Sequence, residues 1–170
     1  IYRTYDTGAT INSLSGNRFT IAGLNRVNKA YFKTAIYLNS VSNVRVYAGL
    51  VGSTSAPISA ADPLANLSGI GLWFDSAVSS VWKIGHNDGD CTGDYDATSV
   101  TAATAQLYPI EIYANRDDTG WRVVFSQTVT DVSTEIPAST TQLAFWVYME
   151  NTTGASRTFR NYYTIVRNDK

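Results

Sequence analysis

The sequence predicts an all-β protein built as a two-sheet antiparallel sandwich. Three observations lead there. No stretch sustains apolar residues at 3.6-residue spacing, whereas short runs alternate apolar with polar and end in turn residues. The composition is rich in Tyr, Val and Thr, which suit a pleated, half-buried surface, and in Ser and Asn, which suit turns. Charged residues make up only 16% of the chain, against about 25% in an average soluble domain.

The elements follow in order. Phe19–Ala22 reads as a first short strand. Residues 30–38 form a strong one, with Tyr31, Lys33, Ala35 and Tyr37 alternating against Phe32, Thr34, Ile36 and Leu38. In 43–51, Val44, Val46, Ala48 and Leu50 share one face. Residues 52–68, with Gly52, Pro57 and Pro63, break the pattern and predict a long connection with one helical turn near 60–65. Strands resume at 69–75 and 80–84, then a loop runs over 86–96. Residues 108–114 and 121–126 predict a hairpin turning at 115–120. Further strands fall at 129–135, 142–150 and 157–167, giving ten in all. Strand pairs separated by long connections suit a jelly roll. The whole of 1–170 reads as one domain, and the start at Ile1 rather than Met reads as a piece of a longer protein.

Net charge is −1, so no basic face exists to hold a phosphate backbone, and nucleic acid is not an expected partner. The longest aromatic-rich apolar run, 143–149, is far too short to span a bilayer, so membrane insertion is not expected either. A single cysteine, Cys91, rules out an intrachain disulfide.

Catalytic chemistry finds few candidates. His86 and Cys91 lie five residues apart in a loop, but no orienting acid or amide stands out, and the pair reads as structural. Glu111, Glu135 and Glu150 are the only glutamates; Glu111 alternates with Tyr113 and points to an outer sheet face. Asp88, Asp90, Asp94 and Asp96, with Asn87 and Gly89 between, could offer oxygens to Ca²⁺, although the spacing is not that of an EF-hand. The alternative is a solvated connection in which Asp and Gly make turns. Of the four tryptophans, Trp73 and Trp146 lie in apolar strands and are assigned to the core. Trp82 and Trp121 lie near turns and, with Tyr113, are candidates for stacking on a sugar, with Glu111 a further ligand-binding candidate in a groove on the same outer face, though a sandwich core needs large rings too.

The segments GIGLWFDSAVSSVWKIGHNDGD (69–90), YDATSVTAATAQLYPIEIYANRDDTGWRVVF (95–125) and VSTEIPAS (132–139) resemble the concanavalin-A-like jelly-roll modules of tailed-phage and related virion proteins. The carriers are Gly71, Phe74 and Asp75 at a strand end, Trp82, then Asp88, Gly89 and Thr92 in a loop. Tyr108, Glu111 and Ile112 follow, then Val123 and Phe125, Pro137, and Arg157, Thr158 and Tyr162 at the end. The match covers roughly 69–167. One departure is Ser126-Gln127-Thr128 where the pattern has an Asn-Gly turn, which puts that hairpin's geometry in question. The acids and Asn of a legume-lectin metal site do not stand in recognisable order.

The resemblance implies structural, attachment or adhesion work, often in multimers. The expected function is accordingly a virion structural module (capsid decoration, head fibre, spike or tail fibre) at the particle surface. It would assemble as a homo-oligomer, a trimer by preference, with other virion proteins, and act by surface contact rather than catalysis. The alternative is a lectin-like carbohydrate-binding module, viral or secreted, using exposed aromatics against a cell-surface glycan, with Ca²⁺ as the one cofactor considered.

Overall fold

The computed structural model describes the chain except Ile1, Ala56, Ile58, Ser59, Ala60, Cys91 and Lys170. Two six-stranded antiparallel sheets face each other, as the sequence predicts. In chain order the strands are β1 (Arg3–Asp6), β2 (Leu14–Arg18), β3 (Ala30–Leu38), β4 (Val44–Val51), β5 (Gly69–Asp75), β6 (Val81–Asn87), β7 (Asp94–Thr101), β8 (Gln106–Ala114), β9 (Trp121–Phe125), β10 (Thr128–Val132), β11 (Ala144–Asn151) and β12 (Thr158–Asn168). Sheet A runs β1-β12-β3-β8-β9-β10 and sheet B runs β2-β11-β4-β5-β6-β7. There is no helix among the described residues; 61–67 are turns, with the Asp62 carboxylate accepting from the Leu64 N–H. Phe19–Ala22, read as strand from sequence, is irregular; the strand next to it is β2, ending at Arg18.

Period-two alternation decides what each face meets. Phe32, Ile36 and Leu38 of β3 and Ile110 and Ile112 of β8 point inward from sheet A. Val46, Ala48 and Leu50 of β4, Leu72 and Phe74 of β5, and Val147 and Met149 of β11 point inward from sheet B. Trp82, Tyr108 and Phe125 pack at one end of this core, with ring centroids 5.1–6.0 Å apart.

Two tight places explain local sequence. Gly120 closes the β8–β9 hairpin, where a Cβ would stand 2.4 Å from the Val132 carbonyl oxygen. In β12 the register slips between Asn161 and Tyr163. The buried Thr34 hydroxyl donates to the Tyr163 carbonyl at 2.7 Å, and Asn161 Nδ2 donates to Thr34 Oγ1 at 2.8 Å, so the bulge's polar groups are partnered inside the sandwich.

The two outer faces differ. That of sheet B carries a second buried cluster of Tyr47, Val51, Leu64, Trp73, Trp146 and Tyr148, with Leu67 and Tyr95 packed against it. Tyr47 lies flat over Gly71, where a Cβ would come within 2.6 Å of its ring. Trp73 and Trp146 are therefore buried, but beneath the 61–68 connection rather than between the sheets. At the edge of this cluster Arg45 stands opposite Asp75 and Glu150 on its two neighbouring strands. It donates from Nε to Asp75 Oδ2 at 2.6 Å and from Nη1 to Glu150 Oε1 at 3.2 Å, and both acids are buried. Among the described residues sheet A has no such cover, so its outer face is where a large ligand can reach strand side chains.

Candidate functional site

Strand register builds a row across that open face. Arg167 pairs with Tyr31, Tyr31 with Tyr113, Tyr113 with Arg122, and Arg122 with Asp131, spanning β12, β3, β8, β9 and β10. Adjacent strands lie about 4.8 Å apart, so the row crosses roughly 19 Å of surface. The Tyr31 and Tyr113 rings stack with centroids 6.4 Å apart and planes at 25°. Arg167 sits over Tyr31, its guanidinium carbon 4.2 Å from the ring centroid. Arg122 grips Asp131 with two parallel bonds, Nε to Oδ1 at 2.7 Å and Nη2 to Oδ2 at 2.9 Å. In the next row Lys33 pairs with Glu111, Nζ to Oε2 at 3.2 Å.

Tyr31, Glu111, Tyr113, Arg122, Asp131 and Arg167 line a cleft of ≈ 1070 Å³ at the end of sheet A, closed by the 115–119 hairpin turn. Its lining contains four bases and four acids, so the cleft is close to neutral overall while dense in hydrogen-bonding groups. Burial, then the hydrogen bond to Glu111, pushes the Tyr31 phenol above its ordinary value, so it stays a proton donor. Glu111 likewise holds the Lys33 ammonium above its ordinary value. The Arg122 guanidinium pulls the Asp131 carboxyl below the usual carboxylate range. A tyrosine pair ringed by fixed charged donors and acceptors suits a saccharide. Its hydroxyls meet the charged groups, and its apolar C–H groups pack against the outward edges of the rings.

Of the residues singled out from sequence, Glu111 and Tyr113 lie together in this cleft. Trp82 and Trp121 require correction: both are fully buried in the core and cannot stack on a ligand. Alternation places Trp82 inward with Ile84 and Trp121 inward with Val123 and Phe125, and nearness to a turn does not override it. The four acids of the Asp-Gly loop also separate. Asp94 and Asp96 begin β7, where Asp96 Oδ2 lies 3.3 Å from His86 Nε2. Asp88 and Asp90 instead meet Glu135, their carboxylate oxygens within 4.8 Å of one another. These are donors of the kind a hard cation takes, but Asp88 Oδ1 and Asp90 Oδ1 already accept from the backbone N–H groups of Asp90 and Thr92. His86 is buried against the Glu135 carbonyl, and its proposed neighbour Cys91 lies outside the described residues. Sequence reading missed Tyr31, Arg122, Asp131 and Arg167 as site residues. The alternation of Tyr31 with Lys33 was legible; which strands lie beside β3 was not.

No family model and no curated protein matches the sequence. Solved structures do match in fold. The potassium-bound carbohydrate recognition domain of Emp46p aligns at TM-score 0.67 and 7% identity, covering 99% of this chain and 89% of that one. The legume lectin-like domain from Entamoeba histolytica aligns at TM-score 0.63 and 11% identity, covering 98% and 89%. Alginate lyase A1-II', a member of polysaccharide lyase family 7, aligns at TM-score 0.61 and 12% identity, covering 98% and 79%. At such identities the likeness shows the fold alone, a lectin-like jelly-roll sandwich. None of the three is a virion protein; the resemblance to phage modules holds for the sandwich only. The expectation of a non-catalytic chain is overturned as well, because alginate lyases are among the proteins that share this fold.

Proposed function

We propose that this protein binds a polysaccharide across the outer face of sheet A, with the Tyr31–Tyr113 pair as the aromatic contact and Glu111, Arg122 and Arg167 as hydrogen-bonding groups. The observation that carries the reading is the five-strand row centred on that pair, open to a cleft of ≈ 1070 Å³ while the opposite outer face is covered. The lectin-like and lyase structures of the same fold, whose names describe carbohydrate recognition and alginate cleavage, support the same class of ligand. The virion role implied by the phage-like pattern finds no support in them and is not carried forward. Affinity electrophoresis against a panel of acidic and neutral polysaccharides tests the proposal. Retarded migration in at least one gel is the expected result; mobility unchanged in every gel sinks it.

A second reading, cleavage of the bound chain by β-elimination, is favoured by Tyr31, whose raised phenol lies against Glu111 and Lys33. In that reaction a base takes the proton beside a uronate carboxylate, the glycosidic C–O bond breaks to leave a C=C bond, and an acid protonates the departing oxygen. Tyr31 is a fitting acid, and Arg167 beside it a fitting partner for the carboxylate. An unsaturated product absorbs in the ultraviolet. Alginate incubated with the protein and showing no rise in absorbance removes this reading and leaves the binding proposal intact.

A further inference from the structure

A chain lying along sheet A meets a second feature at the other end of β12. Arg160 is seven residues from Arg167, roughly 20 Å at about 3.3 Å per residue with one bulge between. It stands opposite Tyr37 of β3 and Thr4 of β1. Its guanidinium carbon lies 4.7 Å from the Tyr2 ring centroid and 5.4 Å from that of Tyr37, and Tyr2 in turn packs on Tyr162 at 5.3 Å.

What sets Arg160 apart is its charge balance. Arg122, Arg167 and Lys33 on the same face are each paired with an acid. Among the described residues Arg160 forms no ion pair, and its buried Nε has no hydrogen-bond partner. Asp6 of the neighbouring β1 is already engaged, accepting from the Ser156 hydroxyl and the Gly8 N–H. Aromatic faces fix a guanidinium plane without neutralising it, and a fixed planar fork matches a carboxylate or sulfate. The rings leave the guanidinium charge uncompensated, and with Nε covered it is the Nη groups that an acceptor arriving from outside would meet.

We infer that Arg160, held between Tyr2 and Tyr37, is a subsite for the anionic group of an acidic polysaccharide whose more distant sugars occupy the near-neutral Tyr31–Tyr113 cleft. The inference rests on the reading of sheet A as the polysaccharide face and adds the ligand's charge and where it is read.

The test is affinity electrophoresis of wild type, Arg160→Gln, Arg160→Lys and Tyr31→Ala in gels containing alginate, carboxyl-reduced alginate or dextran sulfate. Arg160→Gln is expected to weaken binding to an acidic polymer roughly tenfold or more, the usual loss for a charge-assisted hydrogen bond. It should leave binding to the carboxyl-reduced polymer unchanged. Arg160→Lys, keeping the charge but not the fork, should fall between. Loss in alginate alone identifies a carboxylate as the anion, and loss in dextran sulfate alone a sulfate. Wild-type binding by Arg160→Gln to both acidic polymers overturns the subsite, as does equal loss on the carboxyl-reduced polymer. If Tyr31→Ala weakens binding while Arg160→Gln binds as wild type does, the polysaccharide face stands and the subsite falls; if wild type binds none of the three, both fall.

Discussion

Tyr31 and Tyr113 face each other across the β3–β8 ladder as a stacked pair on the open side of sheet A, each flanked on its far side by an arginine. Four strands must be in register for that arrangement, and the chain segments that supply it are separated by most of the sequence. Replacing either tyrosine by Ala removes half of the aromatic contact. An aromatic contact contributes about 0.5–1.5 kcal/mol beyond its buried area, so polysaccharide affinity should fall about tenfold in Tyr31→Ala or Tyr113→Ala. The Phe variants should retain most of it. Retardation coefficients in affinity gels measure this, and unaltered binding by both Ala variants would move the ligand off this face.

Trp82 and Trp121 should behave in the opposite way. Both rings are fully buried, and Trp82 packs against Phe74, Tyr108 and Phe125. Large-to-small replacement of such a ring costs about 3–5 kcal/mol. Urea denaturation of Trp82→Ala and Trp121→Ala should therefore show midpoints far below wild type, if the variants fold at all. A Trp121→Ala protein that is fully stable but blind to polysaccharide would restore the exposed-ring reading and refute the burial.

Much of the fold could be read from sequence because alternation is local. Residues 30–38 and 69–75 were delimited as they occur. What failed was of two kinds. β1 and β7 are edge strands whose exposed faces leave little alternation to detect, and the acids at the start of β7 read as loop. The site failed for a different reason: a binding face is defined by which strands are neighbours, and Arg167, Tyr31 and Arg122 become adjacent only through pairings between distant segments. Glu111 and Tyr113 were found because they lie two apart on one strand, within reach of a local rule.

Arg45 offers a test of the covered face. It is the cation between two buried carboxylates, Asp75 and Glu150. Removing one partner from a buried ionic group leaves charge uncompensated and costs about 3–5 kcal/mol. Arg45→Met should lower the unfolding free energy by that order, seen as a lower denaturation midpoint, and adding Asp75→Asn and Glu150→Gln to it should recover part of the loss. Arg45→Met with wild-type stability would mean that the acids are hydrated in solution rather than buried.

Acid stability follows from three carboxylates. The Ser156 hydroxyl and the Gly8 N–H lower Asp6, the Thr119 hydroxyl and N–H lower Asp117, and Arg122 lowers Asp131, each from an ordinary value of 3.8. A folded value below the unfolded one means the unfolded chain binds protons first as pH falls. The contribution is thus complete above about pH 3.8 and is lost as pH drops through the depressed folded values. Thermal midpoints recorded from pH 7 down to pH 2 should decline mainly below pH 4, and Asp131→Asn should flatten part of that decline. A midpoint insensitive to pH over this interval in wild type would contradict the pairings.

The β9–β10 hairpin carries the last prediction. Phe125 pairs with Thr128, leaving Ser126 and Gln127 as a two-residue turn, at φ 49° and 70°. Both angles are positive, the condition of a type I′ turn, whose favoured residues are Asn and Gly. The geometry that the unusual sequence put in question is therefore kept, with two side chains in a backbone region that costs an L-residue roughly 1–2 kcal/mol. Neither residue lines the cleft on sheet A. Replacing Ser126-Gln127 by Asn-Gly relieves that strain, while the added glycine gives back about 0.5–1 kcal/mol through greater unfolded-state freedom. The net gain should be about 1 kcal/mol, or a melting midpoint raised by roughly 2–4 °C for a domain of this size. Polysaccharide binding should be unchanged. A variant that melts at or below the wild-type temperature would mean that the loop does not hold the I′ conformation in solution, and that the register of the edge strand β10, which places Asp131 against Arg122, is set by sheet contacts alone.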